Sequence, residues 1–168
     1  MKYAHIINLI ILIVISNVIG INWEMYLTSD GRIYASSKNI SNLNGLEYFE
    51  SLQDIDLSNN QINDIHIMFT GNINLTRLIL NSNKIRNIRP LSRQLNLEDI
   101  EISENKINDI SSLSQLTNLK YLMLAKNQIC NIHNHFDYLN KLEMLDLSSN
   151  CITNISFILF SDISRSSK

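Results

Sequence analysis

The sequence predicts an α/β-type repeat solenoid, in which short coils stack so that their strands form one parallel sheet of about six short strands. Three observations predict it. The chain repeats itself every 22 or 23 residues from residue 52 to residue 155. Each copy contains an alternating apolar segment such as Leu78-x-Leu80, the period of a half-buried strand. Across all 168 residues there are only four glycines and one proline, Pro90, while isoleucine, leucine and asparagine dominate. That bias departs from a compact domain of varied loops and is the mark of a repeated unit. With 45% hydrophobic and 18% charged residues, the chain has enough apolar material for one domain and is not a disordered polymer.

The frame is L-x-x-I-x-L-x-x-N-x-I-x-x-I. It is filled first by Leu52, Ile55, Leu57, Asn60, Ile62 and Ile65, then by Leu75, Leu78, Leu80, Asn83, Ile85 and Ile88. The third copy is Leu97, Ile100, Ile102, Asn105, Ile107 and Ile110, and the fourth is Leu119, Leu122, Leu124, Asn127, Ile129 and Ile132. Leu142, Leu145, Leu147, Asn150, Ile152 and Ile155 complete the fifth. The asparagines step by 23, 22, 22 and 23 residues, so single insertions fall between copies and never inside the motif. A weaker copy precedes these, with Ile33, Ala35, Ile40 and Leu43 in frame and Lys38 where asparagine belongs.

This pattern resembles the leucine-rich repeat. The spacing Ile110-x-x-Leu113-x-x-Leu116-x-x-Leu119 is similar to the short 22-residue subclass of internalins and of a protein phosphatase regulatory subunit. The resemblance covers about residues 30 to 155. It implies a right-handed coil with a concave parallel sheet and short irregular or 3-10 convex segments, and it implies protein binding through the concave face.

A single copy cannot bury its own leucines, so neighbouring coils must stack, with strands about 4.8 Å apart. Six strands then span roughly 25 Å. Each asparagine, Asn60, Asn83, Asn105, Asn127 and Asn150, falls where the chain turns after its strand. There a side-chain amide, with two donors and an acceptor, can serve backbone groups of its own and adjacent coils. Lys38 cannot accept such a bond, so the first coil is expected to be the loosest.

The terminal coils need covers. Trp23, Met25, Tyr26 and Leu27 are expected to form the N-terminal one. Phe157, Ile158, Leu159, Phe160 and Ile163 are available at the other end, ahead of a polar tail. The organisation expected is a leader at 1–20, an N-terminal cap at 21–29, a degenerate repeat at 30–51, five repeats at 52–155, and a cap and tail at 156–168. The leader reading rests on Lys2 ahead of the apolar stretch Ile6 to Ile19, which is too short to span a bilayer comfortably. Cleavage is expected after Gly20, and an uncleaved anchor is the alternative. Loss of Lys2 would leave 13 basic and 16 acidic residues where the whole chain has 14 and 16. The secreted members that the chain resembles usually carry cysteine-rich caps, which it lacks.

Chemistry is sparse. His133, His135 and Asp137 lie close in sequence, but metals need more ligands, and a solvated loop is the expected content. No nucleophile motif or glycine-rich phosphate loop occurs, so neither catalysis nor a cofactor or metal is expected. The formal charge of −2 argues against a nucleic-acid partner. Cys130 lies three residues after Asn127, and Cys151 lies one after Asn150. That offset of two positions is marginal for a bridge, so free thiols are the expectation, although a secreted chain would favour the bridge. Asn39, Asn74 and Asn154 each begin a sequon and could carry glycan in a secretory pathway.

Outward strand positions should line the contact face. One row reads Arg32, Asp54, Arg77, Asp99, Tyr121 and Met144, and the next Tyr34, Asp56, Ile79, Glu101, Met123 and Asp146. A wet sheet surface is the ordinary reading of the acidic members. Ile79, Tyr121, Met123 and Met144 suggest instead an exposed apolar patch, with Glu98, Asp99, Glu101 and Glu104 as an acidic neighbour suited to a basic partner. The expected protein is a monomeric recognition module, secreted or surface-exposed. The alternative is an intracellular or membrane-anchored scaffold or phosphatase-regulator-like subunit, touching membrane only if the N-terminal segment is uncleaved.

Overall fold

The computed structural model describes residues 21–49, 51–66, 74–132 and 135–153. The leader at 1–20, Asn154 and the apolar residues from Phe157 to Ile163 lie outside them. Six three-residue strands form one parallel sheet in chain order: β1 (Arg32–Tyr34), β2 (Asp54–Asp56), β3 (Arg77–Ile79), β4 (Asp99–Glu101), β5 (Tyr121–Met123) and β6 (Met144–Asp146). The convex returns include 3-10 turns at Leu46–Tyr48, Arg89–Arg93 and Ser111–Gln115. Pro90 sits at the start of the second of these, where its fixed φ suits the turn and no N–H is needed.

The middle residue of each strand points inward. Ile33, Ile55, Leu78, Ile100 and Leu122 are fully buried, as are the following anchors Leu57, Leu80, Ile102 and Leu124. Each coil contributes a flat layer of such side chains, and stacking turns the layers into one continuous core.

The asparagines close the turns, and they all reach backward. Asn105 Nδ2 donates to the carbonyl oxygens of Ile102 and Ser103 in its own coil and to Leu80 of the preceding one, at 3.2, 3.1 and 2.9 Å. Its Oδ1 accepts the Ile85 N–H at 3.0 Å. Asn60, Asn83, Asn127 and Asn150 repeat the arrangement. This direction removes the reason for expecting the first coil to be loosest. Asn60 already takes the Lys38 and Ile40 N–H groups at 3.0 and 2.9 Å, and Lys38 has no earlier coil to serve. The weaker end is the opposite one. Leu142, Leu145, Leu147 and Ile152 are only partly buried, although their counterparts Leu119, Leu122, Leu124 and Ile129 are fully buried.

The residue before each of these positions is left-handed without being glycine: Ser37, Asn59, Ser82, Glu104, Lys126 and Ser149 have φ between 54° and 59°. The conformation turns the N–H toward the next coil. Ser82 N–H bonds the Ser103 carbonyl at 2.9 Å, and Glu104 N–H bonds that of Ala125 at 2.9 Å. A repeated inter-coil bond offsets the modest cost of αL in these residues.

At the N-terminal end Trp23 is buried, and its Nε1 donates to the Asn44 carbonyl at 2.8 Å. Leu27 forms an antiparallel bridge with Ile33, and Tyr34 N–H bonds the Tyr26 carbonyl at 3.1 Å, so the sheet edge is covered. Met25 is no part of this cover, being 75% exposed. The short 3-10 turn at Trp23–Met25 directs Trp23 inward and leaves Met25 outside.

The expectation of free thiols is overturned. Cys130 and Cys151 are bridged, with Cα atoms 4.6 Å apart. Adjacent coils are not in flat register beyond the asparagine. Cys151 N–H bonds the Ile129 carbonyl at 3.0 Å, as Gln128 N–H bonds that of Ile107 at 2.8 Å. This stagger sets the residue one after an asparagine beside those two and three after the previous asparagine, which absorbs the two-position offset.

Candidate functional site: the concave sheet face

Strand register aligns the two outward rows residue for residue. Arg32, Asp54, Arg77, Asp99, Tyr121 and Met144 are successive partners in one, and Tyr34, Asp56, Ile79, Glu101, Met123 and Asp146 in the other. The face has two unlike ends.

From β1 to β4 the first row alternates in charge and neutralises itself. Arg77 Nε donates to Asp99 Oδ2 and its Nη2 to Glu101 Oε1, both at 2.8 Å, while Nη1 lies 3.8 Å from Asp54 Oδ2. Arg32 Nη1 is 4.0 Å from that same oxygen, which also accepts the Tyr34 hydroxyl at 3.3 Å. Bonding to Asp99 raises the Arg77 pKa above its ordinary value, against the desolvation of partial burial. Exposed ion pairs of this kind contribute about 0–1 kcal/mol each. The network therefore fixes side-chain positions more than it stabilises the fold.

The acidic group expected to stand open to a basic partner is occupied. Glu98 bonds Lys120 Nζ at 2.6 Å, Asp99 and Glu101 hold Arg77, and Glu104 takes both Lys126 Nζ and the Ser82 hydroxyl. Ile79 also departs from expectation, since it is buried at 9% exposure. Arg77 and Asn81, two residues to either side of it, both reach across β4 to the Glu101 carboxylate, at 2.8 and 3.1 Å. The isoleucine is the register partner of Glu101.

At the β5–β6 end the character changes. Tyr121 is 38% exposed, Met144 is 51% exposed, and Met123 lies half-buried between them and Asp146. The Tyr121 hydroxyl donates to Glu143 Oε2 at 2.9 Å, which holds the ring and raises the pKa of the phenol. Asp146 accepts the Ser148 backbone N–H at 2.9 Å and is held below the ordinary carboxylate range by it. The patch thus consists of one oriented aromatic ring and two flexible thioethers, a composition enriched where protein surfaces meet.

A third row escaped the sequence reading. Ser58 Oγ bonds Ser36 Oγ and Asp56 Oδ1, and Asn81 Oδ1 accepts the Ser103 N–H. The only signal is small polar residues two places after the second row, a weak cue in a chain this rich in serine and asparagine. Of the sequon asparagines, Asn39 and Asn74 are both exposed. Among the described residues no group of three or more histidines, cysteines, aspartates or glutamates is placed to hold a metal ion, and no helix is long and apolar enough to cross a membrane.

Repeating coils, a single parallel sheet and a backward-bonding asparagine ladder define a class of repeat protein, and comparison with known sequences agrees. The chain belongs to the leucine-rich repeat family, whose sequence models match residues 73–129 and, as further copies, 51–72 and 141–163. Proteins of this family are generally protein-interaction modules. One curated relative is the oligodendrocyte-myelin glycoprotein of Homo sapiens, 32% identical over 117 residues that make up 68% of this chain and 26% of that protein. The chain thus spans about a quarter of the length of that relative. Among solved structures, an internalin from Listeria monocytogenes is 30% identical, with a TM-score of 0.69 over 74% of this chain and 36% of its own. The BIR2 ectodomain from Arabidopsis thaliana shares the fold at 22% identity, with a TM-score of 0.58 over 71% of this chain and 67% of its own.

Proposed function

We propose that the chain is a secreted or surface-exposed recognition module that binds a protein partner through the β5–β6 end of its concave sheet. The observation that carries this reading is the contrast along the face. Arg77 is paired with Asp54, Asp99 and Glu101, and Asp54 Oδ1 and Asp99 Oδ1, partnerless among the described residues, are buried, while Tyr121, Met123 and Met144 present apolar surface beside them. Burying exposed apolar area gains roughly 25 cal/mol per Å². Separating Arg77 from three carboxylates to admit a charged partner gives little net return. The partner is therefore expected to place an apolar or aromatic side chain among these three residues.

The Cys130–Cys151 bridge supports an oxidising compartment. So does the likeness to a myelin glycoprotein, an internalin and a plant ectodomain. Under this reading residues 1–20 are a cleaved leader, and Asn39, Asn74 and Asn154 are glycan acceptors. The test is affinity capture with the intact chain and a Tyr121→Ser, Met123→Ser double variant as parallel baits. A partner retained by the first and lost by the second supports the proposal, provided both baits show the same circular dichroism. Equal retention would sink it. N-terminal sequencing and a glycosidase mobility test on the expressed protein address the compartment separately.

A further inference from the structure

Away from the sheet, a cleft opens between two neighbouring coils, lined by Arg86, Asn87, Arg89, Lys106, Asn108 and Asp109. Arg86 stands three residues after Asn83 and Lys106 one after Asn105. Relative to their asparagines, these are the places that Cys130 and Cys151 occupy further along, where the two Cα atoms are 4.6 Å apart. The same inter-coil bond sets both pairs, Lys106 N–H to the Ile85 carbonyl at 2.9 Å and Cys151 N–H to that of Ile129 at 3.0 Å. Where the last two coils hold a covalent bridge, the stagger here sets two cations side by side.

Most other cations of the described residues are engaged: Arg32, Arg77, Lys84, Lys120, Lys126 and Lys141 all have side-chain partners. Arg86 and the Lys106 ammonium have no ion pair or side-chain hydrogen bond among the described residues. Arg89 adds a third charge, and its Nη2 lies 3.9 Å from Asp109. Asp109 is itself held in its charged form first by the Ser111 backbone N–H. Lys84 lies one coil before Lys106 at the same place and is bonded only to the neutral Gln61 side chain, at 3.0 Å. Cations that line one cleft on adjacent coils can pair with a single anion between them. Asp64 stands at one end of the run, and Asp109 lines the cleft itself against Arg89. The charge without a carboxylate beside it among the described residues is therefore that of Lys84, Arg86 and Lys106, about two coils long.

We infer that this cleft binds sulfate groups of an acidic polysaccharide, through Arg86, Lys106 and Arg89 with Lys84 extending the line. Guanidinium suits bidentate pairing with an oxyanion, and adjacent ammonium groups supply density of charge. A polymer with a lone carboxylate every second sugar sets too few anions in so short a span. A nucleic acid backbone is disfavoured, since such binding rests on about 6–10 phosphate contacts. The site is separate from the concave face, so its failure would leave the protein-binding proposal standing, and the reverse holds too.

The test is calorimetric titration of the intact chain with a heparin-derived hexasaccharide, the same hexasaccharide stripped of sulfate, and inorganic sulfate. An Arg86→Gln, Lys106→Gln variant should bind the sulfated hexasaccharide about tenfold more weakly, with the slope of log affinity against log salt reduced by about two. A Lys120→Gln, Lys126→Gln variant, with the same change in net charge at paired positions, should bind as the parent does. Four results would each overturn the inference: no binding by the parent, equal loss in both variants, undiminished binding of the desulfated sugar, or inorganic sulfate binding as tightly as the hexasaccharide.

Discussion

Asn105 Oδ1 accepts the Ile85 backbone N–H at 3.0 Å, so one side chain closes the turn of the preceding coil as well as its own. Replacing Asn105 by leucine strands the Ile85 N–H in an apolar interior, at about 1–3 kcal/mol, while the Leu80 carbonyl keeps its bond from Asn83 Nδ2 at 3.1 Å. Asn150 makes the same bonds but is only part-buried, with water able to replace it. Urea unfolding should show Asn105→Leu clearly more destabilising than Asn150→Leu. Equal losses would mean that burial does not set the worth of the ladder.

Gln94 is fully buried, and among the described residues neither its Oε1 nor its Nε2 has a hydrogen-bond partner. Counted back from the following asparagine, the same place in the next two coils holds Leu116 and Leu139, both buried. Gln94→Leu removes two unsatisfied polar atoms at nearly constant volume and should stabilise the protein by about 1–3 kcal/mol. The midpoint of urea denaturation reads this directly, and a lower midpoint would contradict it.

The Cys130–Cys151 bridge joins positions 21 residues apart in sequence. Loop-closure entropy then contributes about 3 kcal/mol. Because the leucines of the last coil are only partly buried, reduction should act there first. Hydrogen exchange after treatment with a reductant is expected to speed up at Met144 and Cys151, whose N–H groups bond the Lys120 and Ile129 carbonyls, while Leu57, Leu80 and Ile102, bonded to the following coils, stay protected. Uniform acceleration would instead show a fully cooperative array.

Asp109 and Asp146 have pKa values below the ordinary carboxylate range, through the backbone N–H groups of Ser111 and Ser148 respectively. A folded-state pKa below the unfolded one stabilises the protein above the unfolded pKa, and that contribution is lost as pH falls through the folded one. The urea midpoint should therefore decline below about pH 4. Asp109→Asn with Asp146→Asn should flatten that decline, and an unchanged profile would assign the acid sensitivity to other groups.

The coil was legible because its physics is repetitive. Inward leucines, outward rows and turn asparagines recur from copy to copy, and strand register followed from them. What escaped depended on where neighbouring coils sit relative to one another. The stagger after the asparagine, which bridges Cys130 to Cys151, leaves no trace in the spacing within a copy. Ile79 is buried beside Glu101, where Arg77 and Asn81 meet, and strand alternation does not encode that placement of side chains. The backward reach of each asparagine closes the first coil's turn in spite of Lys38, and the partial burial of Leu142, Leu145 and Leu147 in the last coil has no mark in a motif that repeats unchanged.

The contact face is tested most directly by photo-cross-linking from two exposed positions on the same part of the chain. Met144 lies on β6 and Tyr138 lies off the sheet, and they are 51% and 66% exposed. A photoreactive phenylalanine analogue placed at each in turn should capture a protein partner from position 144 and not from position 138. Capture from 138 alone would contradict binding through the concave sheet.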